Sequence, residues 1–297
     1  MSIEQDQEII DGLIQWANQQ SNVRAVLLTS SRAIPNSSSD IFSDYDVILV
    51  VGDILSFHES RAWLDAFGPV LVLYRDPLES YDGNPKTAYV VQYENGLKID
   101  FTLWSVEILQ QVVAKPKLPD EFDAGYLVLL DKDDLTNGLK PPTYTAYIPT
   151  PPTENEYQEF VEVFFLEAIY VAKFLWREEI VAAKHILDHF MKHEHLLPML
   201  EWHIEIDHQW SVKPGLYGQR LKEWLRPDLW EELETTYTGF GLEENWEAMY
   251  TTVSLFRKVA IEVGKSLGYE YPQDIDLRTI NYLQKVRRLD RKAKGFG

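Results

Sequence analysis

The sequence predicts an α+β protein in which a domain built on a mixed sheet precedes an all-α helical bundle. Short apolar and β-branched runs, typical of strands, concentrate in the first half of the 297 residues. Between about 140 and 153 the chain is too rich in proline for a helix or an interior strand. Beyond this stretch, apolar residues recur at helical spacing. We therefore expect two domains, over 1–145 and 146–297, a division that the chain length allows.

Recognisable loops and turns separate the elements of the first half. The segment 30–44 is rich in Ser, Asn and Pro and predicts a loop before a continuously apolar strand. Glu-Asn-Gly at 94–96 is a tight-turn sequence, so the strands on either side should form an antiparallel hairpin. The expected elements are a helix over 4–18 and strands over 24–29, 47–51, 70–74, 87–93 and 97–103.

Helical periodicity dominates the second half and predicts a bundle. The expected helices cover 154–193, 195–208, 216–238 with a stop at Pro227, 243–267 and 272–289. In the first of them, His185, His189 and His193 recur every four residues. No His-Glu-x-x-His sequence accompanies them, so we interpret them as a solvated helix face and not as a transition-metal site.

The charge of the chain restricts its partners. Asp and Glu number 47 against 28 Lys and Arg, which gives a formal charge of −19. Such a field repels nucleic-acid phosphates and attracts polycations, so we expect no nucleic-acid partner and favour a cationic small molecule. The alternative is that the acids serve only to keep the protein soluble. Oligomeric state is left open.

Composition also bears on the compartment. The chain has no cysteine, which excludes disulfides, thiolate metal sites and cysteine nucleophiles. Its first residues do not resemble a secretory signal, and no apolar run reaches the roughly 20 residues that a bilayer requires. We therefore expect a cytoplasmic protein without a membrane partner.

Three aspartates are the candidate chemical groups of the first half. Asp44 and Asp46 are two residues apart at the beginning of a strand, so their carboxylates should project side by side and repel unless a cation lies between them. Asp100 shares a strand face with Lys98, and the three carboxylates converge if the two strands are neighbours. Oxygen ligands of this kind suit Mg²⁺, the metal of phosphoryl and nucleotidyl transfer. An isolated Asp-x-Asp also arises by chance on surface strands.

Five segments carry a resemblance to a known family. Together they extend from the first predicted strand into the helical half. The chain resembles the aminoglycoside 6-adenylyltransferases of the nucleotidyltransferase superfamily, and its N-terminal part then corresponds to a nucleotidyltransferase domain. The segments are Leu-Leu-Thr-Ser-Ser-Arg-Ala at 27–33, Asp-Ile-Phe-Ser-Asp-Tyr-Asp-Val at 40–47, Lys-Ile-Asp-Phe-Thr-Leu at 98–103, Tyr-Val-Ala-Lys-Phe-Leu-Trp-Arg at 170–177 and Met-Leu-Glu-Trp-His-Ile at 199–204.

The resemblance implies a reaction: transfer of AMP from MgATP to a hydroxyl of an aminoglycoside such as streptomycin, with release of pyrophosphate. Asp44 and Asp46 would hold Mg²⁺, and Asp100 would complete this catalytic metal site or help to deprotonate the acceptor hydroxyl. Backbone amides of the turn at 30–32 would hold a nucleotide phosphate. The implied nucleotide-binding residues are Ser30, Ser31, Arg32, Lys173 and Arg177.

Two positions depart from the family pattern. Ser30 replaces the glycine of Gly-Ser-Arg, and Ile34 replaces the first asparagine of Asn-Pro-Asn. Glycine allows the backbone to approach a phosphate closely, so Ser30 is expected to weaken nucleotide binding. Two alternatives therefore stay open: an enzyme that adenylylates a different acceptor, and a nucleotide-binding sensor with little or no turnover.

The resemblance places the acceptor and part of the nucleotide site in the helical half. Glu201, Trp202 and His203 are the implied acceptor-binding residues, since an indole packs under a sugar ring and a carboxylate pairs with an ammonium. A buried core role is the alternative for Trp202. We expect Lys173, Arg177 and Lys184 to form a basic stripe on one helix, with ion pairing to nearby Glu as the alternative. The segment 211–220 is less lysine-rich than in the family, which leaves the acceptor open.

Overall fold

The computed structural model describes residues 3–35, 39–212 and 215–296. The chain divides into two compact units, Met1–Tyr147 and Ile148–Gly297, and the division falls inside the proline-rich stretch. Parts of two segments singled out above, 36–38 in the first predicted loop and 213–214 in the segment 211–220, lie outside the described residues. None of the described helices is long and apolar enough to cross a membrane.

The first unit is built on a mixed sheet. Its described strands are β1 (Val23–Thr29), β2 (Tyr45–Val51), β3 (Val70–Arg75), β4 (Glu79–Tyr81), β5 (Asn84–Tyr93), β6 (Lys98–Ser105) and β7 (Tyr126–Asp131). Their order is β3-β5-β6-β2-β1-β7, with β4 paired to β5. β2 and β6 are parallel, and the other neighbouring strands are antiparallel. The predicted mixed sheet and its β5–β6 hairpin are confirmed.

Helices pack on both faces of this sheet. They are α1 (Ile3–Gln19), α2 (Ile54–Glu59), α3 (Val106–Ala114) and α4 (Asp120–Asp123). On one face α1 and α2 enclose Tyr89 and Phe101, which are fully buried. On the other face α3 and α4 pack against Val50 and Trp104. The short helices α2, α3 and α4 and the strands β4 and β7 were not predicted from the sequence.

Strand alternation leaves one face of β5 and β6 partly open. Asp100 and Thr102 of β6 are half-buried, whereas Phe101 between them is fully buried. Their register partners on β5, Val90 and Ala88, are half-buried as well. Because cross-strand partners share a sheet face, this half-open strip presents the side chains of both strands to one side.

The second unit is an all-α bundle, as the sequence predicts. Its described α-helices are α5 (Glu154–Trp176), α6 (Ile180–Lys184), α7 (Leu197–Asp207), α8 (Leu221–Trp224), α9 (Pro227–Thr235), α10 (Leu242–Leu267) and α11 (Gln273–Arg288). A π-helical segment, His185–Leu196, connects α6 to α7. At the centre of the core, Phe164 of α5 stacks on Phe256 of α10 with ring centroids 3.6 Å apart.

The predicted single helix over 154–193 is wrong. Helix α5 ends at Trp176, and Glu178 adopts a left-handed φ of 60°. The N–H groups of Glu178 and Glu179 bond to the carbonyls of Leu175 and Phe174, which closes the helix end. Glycine normally marks such an end, and a glutamate there carries no visible signal in the sequence.

In the bundle, Pro227 differs from the sequence prediction, and the three histidines of the π-helical segment agree with it. Pro227 begins α9 instead of only ending a helix, because a proline suits the first helical turn, where its missing N–H has no partner to lose. His185, His189 and His193 are all exposed, as their interpretation as a solvated face expects. The first two rings stack with centroids 5.7 Å apart.

Candidate active site

The parallel pairing of β2 and β6 brings the predicted carboxylates together. Asp46 and Asp100 are direct register partners, and Asp44 immediately precedes Tyr45, the first residue of β2. Register partners on neighbouring strands project from the same sheet face. Two residues separated by more than fifty positions therefore lie side by side, next to a third carboxylate from the loop that enters β2.

Lys98 supplies a cation inside this cluster. Its Nζ donates to the Oδ2 of Asp44 and, at 3.1 Å, to the Oδ2 of Asp100. Burial alone would lower the pKa of Lys98, but the hydrogen bonds to the two carboxylates outweigh it, and the pKa is raised. With its four groups ionised, the cluster of three carboxylates and one ammonium keeps a negative charge.

The carboxylates themselves are desolvated. Burial, followed by the charge of Asp100, raises the pKa of Asp46 above its ordinary value. Burial also raises the pKa of Asp100, with Lys98 opposing the change. The site therefore holds negative charge at an energetic cost that a further cation would reduce.

One oxygen of the cluster lacks a partner. The Oδ1 of Asp100 is buried and accepts no hydrogen bond in the described part of the chain. A buried carboxylate oxygen without a donor is unfavourable, and a cation would satisfy it. No group of three or more His, Asp or Glu among the described residues forms a complete metal cage. Mg²⁺ commonly uses only one or two carboxylates and takes its other ligands from water and substrate phosphates, so this donor set fits it.

The turn after β1 borders the carboxylates. Residues Ser30–Ala33 form one 3-10 turn, and Ser30 has a φ of 59°, in the left-handed region that favours glycine. The hydroxyl of Ser30 also forms a hydrogen bond with Asp46, which opposes the rise in the pKa of that carboxyl. The serine thus keeps a backbone conformation suited to glycine and adds a polar contact to a candidate metal ligand.

Arg32 is engaged within the protein. Its Nη1 donates to Asp6 at 2.8 Å, its Nε to the carbonyl of Asp44 at 3.0 Å and its Nη2 to the carbonyl of Ser43 at 2.6 Å. The guanidinium also lies over the ring of Tyr45, and only 4% of the side chain is exposed. This placement favours a positioning role for Arg32 in the loop that carries Asp44, and its binding of nucleotide stays a prediction.

The basic residues predicted for the nucleotide lie in the second unit. Lys173 is half-buried on α5 with its Nζ 5.5 Å from the centre of the Tyr170 ring, and Arg177 is exposed at the end of that helix. Lys184 lies beyond the helix break and pairs with Asp188 at 2.8 Å. The predicted three-residue stripe on one helix is therefore wrong, whereas the nucleotide contacts of Lys173 and Arg177 stay predictions.

The three predicted acceptor residues lie together on α7 but face different surroundings. Successive helical residues are rotated by about 100°, so neighbours in sequence point in different directions. Trp202 lines a cavity of about 420 Å³ with Phe160, whereas His203 is buried and its Nε2 lies 2.8 Å from Glu262. Glu201 borders a separate, much smaller space, and burial followed by the charge of a neighbouring acid raises its pKa to about 7. The structure does not unite them in one pocket.

Sequence reasoning missed the role of Lys98 and the contact between Arg32 and Asp6. For Lys98 a signal was present, because it stands two residues before Asp100 on the same strand face. For Asp6 no local signal existed, since the contact joins α1 to a loop across 26 positions. Both contacts hold the candidate carboxylates in place.

Comparisons with known proteins identify the family of the chain. Residues 3–286 match the family model described as streptomycin adenylyltransferase. The chain is 32% identical over 285 residues to the aminoglycoside 6-adenylyltransferase of Bacillus subtilis (strain 168), covering 95% of this chain and 97% of that protein. It is 30% identical to the Campylobacter jejuni aminoglycoside 6-adenylyltransferase, over 95% and 96% of the two chains.

A solved structure adds a further likeness. The crystal structure of an aminoglycoside 6-adenyltransferase from Bacillus subtilis aligns with 95% of this chain and 98% of its own, at 30% identity and a TM-score of 0.46. The family model covers nearly the whole chain, and the two relatives are similar to it over almost their full lengths. The protein belongs to the streptomycin adenylyltransferase family.

Proposed function

We propose that this protein transfers AMP from MgATP to a hydroxyl of an aminoglycoside such as streptomycin and releases pyrophosphate. The observation that carries the proposal is the in-register pair of Asp46 and Asp100, with the unpartnered Oδ1 of Asp100 beside Asp44. The relatives named above act on aminoglycosides according to their names, which supports the acceptor class.

Asp44, Asp46 and Asp100 would hold the Mg²⁺. When bound, the metal neutralises phosphate charge and helps to align the attacking and leaving oxygens. Lys98 balances part of the carboxylate charge before substrates bind, and Arg32 holds the loop that positions Asp44. The turn at Ser30 and Ser31 offers backbone donors for a phosphate.

Asp100 is the proposed acceptor of the hydroxyl proton. In the transfer, the acceptor oxygen bonds to the α-phosphorus while the bond between that phosphorus and the pyrophosphate oxygen breaks. The proton of the hydroxyl passes to the Asp100 carboxylate, whose pKa is raised by burial and is thereby better matched to proton transfer. Lys173 and Arg177 from the second unit are the proposed further contacts of the triphosphate.

A second candidate function is a nucleotide-binding sensor. The observation that favours it is Ser30. Its backbone adopts a conformation suited to glycine, and its side chain contacts Asp46. A serine here restricts the approach of a phosphate to the backbone. This candidate predicts Mg²⁺-dependent ATP binding without turnover of any aminoglycoside.

The test is pyrophosphate release from MgATP with and without streptomycin. The wild type is compared with Asp46→Asn, which is nearly isosteric and removes one charge, and with Asp65→Asn, a control at an exposed position of the same unit. Release that requires both streptomycin and Asp46, together with an AMP adduct of the drug, supports the enzyme. ATP binding without pyrophosphate release in the presence of any of a panel of aminoglycosides favours the sensor.

A further inference from the structure

A second cavity lies on the half-open strip of β5 and β6. It has a volume of about 250 Å³, and Thr102 and Trp104 of β6 and Ala88 of β5 line it. Thr102 and Trp104 follow Asp100 at two-residue intervals, so all three project from one sheet face. Two strand residues span about 7 Å, so the edge of the cavity formed by Thr102 lies about 7 Å along the strand from the proposed catalytic carboxylate.

The charge of this cavity selects against a nucleotide. Its lining includes the carboxylates of Asp76, Glu79 and Glu121 and the single ammonium of Lys86. Lys86 pairs with Glu79 at 3.7 Å, whereas Asp76 and Glu121 form no ion pair within the described residues. An excess of carboxylates repels a triphosphate and attracts an ammonium or guanidinium group.

Two aromatic side chains, Trp104 and Tyr81, also line the cavity. Trp104 is only 5% exposed and stacks on Phe122, with ring centroids 5.4 Å apart. Tyr81 adds an aromatic ring to the same lining. A ligand ring that carries a cation would suit both the aromatic side chains and the carboxylates of Asp76 and Glu121.

The size of the cavity limits the ligand. Pockets for drug-sized ligands measure about 300–1,000 Å³, so about 250 Å³ suits a single ring and its substituents. A whole aminoglycoside would extend beyond it. The ligand class is therefore one cationic amino-sugar or guanidino-cyclitol ring of a larger molecule.

We propose that this β5–β6 cavity binds a cationic ring of the acceptor and presents the acceptor hydroxyl to Asp100. The inference rests on the proposed function and deepens it by placing acceptor recognition in the first unit. It also explains why Glu201, Trp202 and His203 line three separate cavities, because in this arrangement they need not form one acceptor pocket. Thr102 and Trp104 position the ring, and Asp76 and Glu121 bind its charge.

Calorimetric titration with streptomycin tests the proposal independently of turnover. The double variant Asp76→Asn, Glu121→Gln keeps side-chain shape and removes two charges, and we expect streptomycin to bind about tenfold more weakly or worse. The affinity for MgATP should change less than about twofold, because the triphosphate does not use this cavity. Glu94→Gln, in the exposed hairpin turn, is the matched control and should leave both affinities unchanged.

A second variant fills the space. Ala88→Phe places a ring in the half-buried cavity and should also abolish streptomycin binding, with a melting temperature close to that of the wild type as a check on folding. Unchanged streptomycin affinity in the double variant overturns the proposal even when the wild type is an active enzyme. Binding that the double variant weakens, without any pyrophosphate release by the wild type, supports the cavity and rejects the proposed function.

Discussion

The carboxylate cluster of the first unit and the α7 segment of the second unit place their candidate residues in opposite ways. Asp46 and Asp100 are far apart in sequence, and parallel strand pairing makes them neighbours. Glu201, Trp202 and His203 are adjacent in sequence, and the helix directs them to three different environments. Proximity in sequence is thus a poor guide to a shared site on a helix, whereas register between strands is a strong one.

The strongest test of this contrast is the loss of Asp100. Asp100→Asn should lower kcat/KM for pyrophosphate release about a thousandfold, roughly 4 kcal/mol, because it removes a charge at the point of transfer. Stability should rise or stay unchanged in urea unfolding, since a desolvated carboxylate is removed. Glu201→Gln serves as the comparison in the second unit. A loss of kcat/KM as large in Glu201→Gln as in Asp100→Asn would contradict the contrast between the carboxylate cluster and the α7 segment.

The internal cation of the cluster can be tested without substrates. Lys98→Met leaves Asp44 and Asp100 without their shared ammonium, and we expect the free energy of unfolding to fall by about 1–3 kcal/mol in metal-free buffer. Added Mg²⁺ should restore part of this loss by replacing the missing charge. Urea unfolding with a chelator and with Mg²⁺ measures both effects. Equal stability of the variant and the wild type in the chelator would show that Lys98 does not stabilise the carboxylate cluster.

Glu201, the half-buried acid of α7, should instead affect how stability depends on pH. The pKa of Glu201 is raised from 4.5 to about 7, so the folded state binds more protons than the unfolded state between these values. Stability contributed by the protonated carboxyl is therefore present at low pH and declines as pH rises from about 4.5 to 7, by up to about 2 kcal/mol after allowance for partial exposure. Urea unfolding across this range should show a steeper decline for the wild type than for Glu201→Gln. Parallel curves would show that Glu201 titrates normally.

The smallest effect is expected at Ser30. Ser30→Gly relieves a left-handed conformation of a non-glycine residue, worth about 1 kcal/mol, but it also loses the hydrogen bond to Asp46. Stability should therefore change by less than about 1 kcal/mol, whereas ATP should bind a few-fold more tightly as the backbone becomes accessible. Calorimetry with MgATP measures the affinity, and weaker binding by the variant would assign a direct nucleotide contact to the serine hydroxyl.

Much of the fold was predictable because its signals are local. Alternation along 98–103 and the Glu-Asn-Gly turn define the β5–β6 hairpin and the face on which Asp100 lies. Strand β7 was missed, since Leu127 and Val128 are exposed and give no alternation between a buried and a solvated face. The helix end at Glu178 was missed because its left-handed residue is not glycine.

The candidate site was predictable in its carboxylates and not in its supporting contacts. Two aspartates at a spacing of two on a strand have a definite geometric consequence, so Asp44 and Asp46 could be selected from the sequence. The engagement of Arg32 with Asp6 depends on how α1 packs against the loop, which no local pattern encodes. The same holds for the β5–β6 cavity, whose lining comes from four segments of the chain.

The contact between Arg32 and Asp6 makes the first helix a remote support of the chemistry. The guanidinium of Arg32 joins Asp6 of α1 to the carbonyls of Ser43 and Asp44. The geometry of that loop therefore depends on a carboxylate near the beginning of the chain. Changes that loosen α1 would reach the candidate metal site through Arg32 and Tyr45, which both donate hydrogen bonds to Asp6. The N-terminal helix is therefore a place where protein engineering or natural variation can tune the site without altering any residue that faces a substrate.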